Sequence, residues 1–167
     1  MGTAKTGSGQ SIEEQFYNKA VQADENGKSR EALTLSLKAA DLGHHHAMNF
    51  IGTLHCGRTG IRKDLIKALY WFRRAWRTGS DPYVLSNIAS TYADLGNRRQ
   101  ARFWWRRSVA SKDGDSALEF AKFSMDDKRS NRREVIKLLR VAANSKFITP
   151  DGLEQARALL TEHENKQ

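Results

Sequence analysis

Cysteine is almost missing from this chain: Cys56 stands alone among 167 residues. An internal disulfide framework is therefore excluded, and a reducing compartment fits. Proline occurs only at Pro82 and Pro150, so long helices are permitted on either side of each. No apolar run approaches the about 20 residues that a membrane-crossing helix needs. The first ten residues, MGTAKTGSGQ, lack the apolar middle of a secretory signal. Together these absences point to a cytoplasmic protein, or to an already processed form. No CxxC, HExxH, phosphate-loop or dinucleotide glycine pattern occurs, and nothing places a base beside Cys56. The expectation is no catalytic residue, no metal and no cofactor. His44, His45 and His46 are read as polar residues opening a helix, and His55 and Cys56, being adjacent, as pointing to different faces.

Acidic residues are scarce in one region. Residues 58–112 hold thirteen Lys/Arg against three Asp/Glu, a balance of +10, whereas the formal charge of the whole chain is +9. The basic character belongs to the middle of the chain, and electrostatic steering acts there.

What is present in quantity is helical periodicity. In Asp64–Gly79 the apolar residues Leu65, Ala68, Leu69, Phe72, Ala75 and Trp76 recur at three- and four-residue spacings. Gly79 falls where a left-handed C-terminal cap would want glycine. The layout recurs in Glu31–Gly43, in Gln100–Gly114 and, more weakly, in Glu134–Ser145. Helix pairs are predicted at 12–26 with 29–42, 44–56 with 64–78, 82–95 with 98–111 and 115–127 with 131–145. Ser11 is the expected N-cap of the first, and a last helix is expected at about 151–164. Residues 1–10 read as a flexible leader ahead of a single helical domain at 11–167, although Gly2 also fits a loose myristoylation pattern.

The period can be counted. Ala32, Ala68, Ala101 and Val135 begin the second helix of each pair, at steps of 36, 33 and 34 residues. Seven positions on stand Ala39, Ala75, Ser108 and Ala142. The first helices carry Ala20, Gly52, Ala89 and Ala121. Small residues at fixed places let helices approach closely. Between them Leu35-Ser36, Trp71-Phe72, Trp104-Trp105 and Leu138-Leu139 fill the gaps. Two helices per repeat of this length form an α-solenoid.

These residues resemble the Sel-like repeat branch of the tetratricopeptide superfamily. The second repeat carries Ala47, Ile51-Gly52, Gly57, Asp64, Lys67-Ala68, Trp71, Ala75 and Gly79, and the third Ile88-Ala89, Tyr92, Gly96, Ala101 and Trp104. The resemblance implies an all-α fold, a right-handed solenoid of about four helix-turn-helix repeats with a C-terminal capping helix. It also places Trp71 and Trp104 at the family's core aromatic position, with Phe72 and Trp105 at a second packing position. It implies a non-enzymatic adaptor or chaperone of bacterial type, binding a segment of another protein, acidic ones included, in its concave groove. The first helices line that groove, at Tyr17, Val21, His46, Asn49, Thr53, Tyr83, Ser86, Ser90, Leu118 and Lys122. With Lys122 as its sole cation, the groove does not suit clamping of a C-terminal carboxylate.

A second surface is basic. Arg98, Arg102 and Arg106 form a stripe at four-residue spacing, widened by Arg99 and Arg107 beside Trp104-Trp105, and Arg73, Arg74 and Arg77 lie on the preceding copy. Basic residues among aromatics suit nucleic acid or another polyanion, which is the alternative function; an immunity or inhibitor protein for a secreted effector is another. Asp126 and Asp127 are read as solvated.

Overall fold

The computed structural model describes residues 9–57, 60–127 and 131–165. The leader read at 1–10, except for its last two residues, and Gly2 lie outside them, as does part of the 57–64 connector. The described residues form nine helices and no strand: α1 (Ile12–Glu25), α2 (Ser29–Asp41), α3 (His45–His55), α4 (Leu65–Gly79), α5 (Tyr83–Asp94), α6 (Arg98–Val109), α7 (Gly114–Met125), α8 (Arg132–Ala143) and α9 (Pro150–Asn165). Each predicted helix is present within one or two residues of its expected ends.

Local chemistry sets most of the boundaries. Asp64, Asn97, Asp113 and Asn131 each accept a backbone N–H from the first turn that follows, which satisfies a donor the helix leaves orphaned. Ser11 occupies the N-cap position of α1 without making that bond; its side chain bonds Glu13 instead. Two glycines differ from expectation. Gly79 is the last residue of α4, and the left-handed turn is made by Ser80 at φ 51°. Glycine is needed at 79 because a Cβ would overlap the His45 ring. Gly114 opens α7 rather than ending the preceding copy; the positive φ there belongs to Lys112, at 63°.

The chain divides into two compact units at Leu95 and Gly96. In the first, α1 packs on α2, α2 on α3, α3 on α4 and α4 on α5. In the second, α7 packs against α6, α8 and α9, and α8 also against α9, so that α9 buries Gly152 and Ala156 as the closing helix of that unit. All twelve repeat positions expected to be small are buried: Ala20, Gly52, Ala89 and Ala121 on the first helices, and Ala32, Ala68, Ala101, Val135, Ala39, Ala75, Ser108 and Ala142 on the second. In the first three bulky pairs only the second member is fully buried, and in the fourth both Leu138 and Leu139 are. Ser36, Phe72, Trp105 and Leu139 are at most 2% exposed, whereas Trp71 and Trp104 are only half-buried. Of the two packing positions the resemblance implies, the second, Phe72 and Trp105, is fully inside, while the first is only partly so, because a helical step of 100° turns the second inward.

Candidate functional site

In the first unit some of the expected groove residues come near one another: the Tyr17 and His46 rings are 6.2 Å apart, and Thr53 and Ser90 line one recess. Tyr17 of α1 stacks on His44 with ring centroids 4.7 Å apart and meets Phe50 of α3 edge-on at 6.3 Å. Burial, and then the charge of Glu14, holds the Tyr17 phenol above its ordinary pKa. His44 is the N-cap of α3. Its Nδ1 accepts the Ala47 N–H at 3.1 Å, so Nε2 carries the proton and donates to Glu14 Oε2 at 2.8 Å. The polar role read for the histidine run belongs to this residue.

One helix on, Asn87 of α5 donates to the Asn49 side-chain oxygen at 2.9 Å, which ties α3 to α5. Beside that bond lies a cavity of about 130 Å³ lined by Thr53, Cys56, Phe72, Asn87, Ser90, Thr91 and Asp94. Thr53 and Thr91 turn their hydroxyls back to the carbonyls of Asn49 and Asn87, at 3.2 and 2.7 Å. Tyr83 is 59% exposed, and Ser86 donates to its carbonyl at 2.9 Å. Ser90 and His46 are exposed and Val21 is half-buried. Glu14 and Asn87 were not anticipated. Asn87 lies four residues after Tyr83 and three before Ser90, so helical spacing puts it on their face.

The two groove residues expected from α7 fare differently. Leu118 is 2% exposed and belongs to the interior of the second unit, so it cannot be a groove contact. Its position is one helical step from the buried Ala117, and a leucine there adds core volume. Lys122 pairs with Glu119 at 2.9 Å and reaches Gln155 of α9 at 2.8 Å.

Three arginines of the stripe, although Arg98 and Arg106 are exposed, pair with acids of the same unit. Arg98 and Arg102 bond Asp127 at 3.3 and 2.9 Å, and Arg102 and Arg106 approach Glu134 at 3.5 Å each. Arg98 also lies over the Phe123 ring at 4.3 Å. Asp127, expected to be solvated, has a side chain only 13% exposed. Its position after the end of α7 puts it within reach of two guanidinium groups of α6, and paired charges tolerate such burial. Arg107 covers Phe103 and Trp104, Arg74 covers Trp71, and Arg73 covers Tyr92 and donates to its hydroxyl. Arg77 and Arg99 are exposed. Arg99, Phe103, Arg106 and Arg107 rim an open depression on α6.

His55 and Cys56 line different recesses: His55 a depression with Asp64 and Lys67, Cys56 the polar cavity. Burial holds His55 below its ordinary pKa, with the Lys67 charge adding to it. His45 is likewise held down by burial and by His46 and His44, against the pull of Asp81.

The Sel1 repeat family model matches residues 28–44, 45–76 and 95–113. The chain carries Sel1 repeats. Solved structures that share its fold include two repeat proteins. One is a protective antigen present in uropathogenic Escherichia coli strains that displays an SLR fold, similar over 90% of this chain with a TM-score of 0.71 and 20% identity. This chain spans 33% of that protein's length. The other is a Sel1 repeat protein from Oxalobacter formigenes, with 90% of this chain and 73% of that one covered, a TM-score of 0.67 and 19% identity. No curated protein matches the sequence. At these identities the likeness shows the fold, an all-α solenoid of helix-turn-helix repeats with a closing helix. Sel1 repeats are in general protein–protein interaction modules. No helix among the described residues is long and apolar enough to cross a membrane.

Proposed function

We propose that this Sel1-repeat chain is a non-enzymatic adaptor or chaperone that holds a segment of another protein against the face made by α1, α3 and α5. The observation that carries this reading is the polar cavity beside the Asn49–Asn87 bond. Amide, hydroxyl and carboxylate groups gathered in one recess can satisfy the backbone of a bound segment, and the exposed Tyr83 supplies rigid contact area with few rotors to order. A cytoplasmic setting fits the single cysteine. The basic excess in residues 58–112 would steer an acidic partner toward the protein without forming the seat itself.

The polyanion reading is weaker because Asp127 and Glu134 already engage Arg98, Arg102 and Arg106. A pull-down from cell extract, run with and without nuclease at low and high salt, separates the two. A protein partner retained at high salt after nuclease, and lost from an Asn49→Ala/Tyr83→Ala variant, is the expected result. Recovery of nucleic acid alone, lost at high salt and unaffected by that variant, would overturn the proposal.

A further inference from the structure

The chain returns from α4 to α5 beside the start of α3, and this places an acid against two histidines that are more than thirty residues away in sequence. The ring centroids of His45 and His46 lie 4.0 Å apart. In this first turn the His45 ring lies against Gly79 and the His46 ring faces Asp81. His46 Nδ1 stands 3.7 Å from Asp81 Oδ2. One ligand atom from each of His45, His46 and Asp81 lies within 4.8 Å of the other two.

We infer that His45, His46 and Asp81 form a binding site for a divalent transition-metal ion of the zinc type. Two imidazole nitrogens and one carboxylate oxygen are a donor set for zinc and its neighbours. Calcium and magnesium demand six or more oxygens and are not matched. Three protein ligands leave the fourth tetrahedral position to water or to a side chain of a bound partner.

The surroundings hold the donors in place. Asp81 Oδ1 accepts the Tyr83 N–H at 3.0 Å, which fixes the carboxylate with Oδ2 toward the histidines. The His45 ring rests on Gly79, where any side chain would displace it. His44 is not a donor, because both its nitrogens are engaged, by the Ala47 N–H and by Glu14. Metal bonds of about 2.0–2.2 Å bring tetrahedral ligand atoms to roughly 3.5 Å from one another. The site must therefore close by about 1 Å, and the half-exposed side chain of His46 can rotate to do so. The N-terminal end of α3 opposes a cation, and the Asp81 charge offsets it.

The test is a zinc titration of the tag-free full chain in competition with a chromophoric chelator, paired with the visible spectrum of the cobalt(II) form. One equivalent is expected to bind, with a tetrahedral cobalt spectrum. Asp81→Asn, which keeps the oxygen that accepts Tyr83 N–H, and His46→Gln are each expected to weaken binding about tenfold or more. His44→Asn keeps an N-cap acceptor and is expected to stay within about twofold of the parent. Circular dichroism melts without metal verify that each variant is folded. Failure to bind one equivalent would overturn the inference. So would a full-affinity Asp81→Asn variant, or a His44→Asn loss as large as that of His46→Gln.

Discussion

Phe72→Ala is expected to lower the stability of the first unit by about 3–5 kcal/mol, the range for deleting a buried aromatic side chain. Phe72 is 1% exposed, and its ring lies against Gly52 of the facing helix. A Cβ on residue 52 would stand 2.5 Å from Phe72 Cε1. That contact is far inside van der Waals distance, so the two residues are one feature: a bulky ring on α4 and the absence of a side chain on α3. Gly52→Ala should therefore also destabilise, by about 1–3 kcal/mol, although alanine is the better helix former. Shortening the ring with Phe72→Leu should reduce the Gly52→Ala cost, because leucine leaves room for the methyl group. Chemical denaturation followed by circular dichroism measures all four proteins. A Gly52→Ala variant as stable as the parent would show that the close approach is not maintained in solution.

Trp105→Ala should cost a similar about 3–5 kcal/mol in the second unit, and Trp104→Ala markedly less. The two neighbours are chemically identical and differ only in where the helix turns them. Trp105 is 2% exposed and stacks on Phe120 of α7, with centroids 6.3 Å apart and planes within 11°. Trp104 is half-buried, meets Phe103 edge-on at 5.3 Å and is covered from outside by Arg107. Removing it loses a partly hydrated surface and leaves no internal void. Equal losses for the two variants, measured by the same denaturation, would contradict this assignment.

The contrast between these tryptophans also explains which features were legible in the sequence. Repeat spacing, the small residues and the helix ends follow from local rules, since capping groups, glycine punctuation and a 3.6-residue period act within a few positions. The twelve small positions were identified on that basis, and each is buried. Which of two adjacent aromatics faces fully inward depends on the helix's rotation against its neighbours, and the family resemblance, which put both at packing positions, did not rank them. Side-chain partners from distant segments were less accessible still. Asp127 is read as solvated until α6 brings Arg98 and Arg102 to it. Asp81 lies outside every helix and carries no motif, so nothing local ties it to His45 and His46. Leu118 is an error of the same kind, because repeat alignment alone cannot tell the groove face from the core face of α7. Gly79 looked like a cap, and its actual constraint is a histidine ring some thirty residues earlier.

The claim that the α1, α3 and α5 face is the seat of a protein partner is tested most directly by photo-crosslinking in cells. A photoreactive amino acid placed at Ser86 or Ser90 sits on that face without removing a core side chain, and one placed at Arg107 reports on the basic face of α6. The account predicts a discrete protein adduct from Ser86 and Ser90 that disappears when Asn49→Ala and Tyr83→Ala are added. Adducts from Arg107 alone, with none from Ser86 or Ser90, would contradict it.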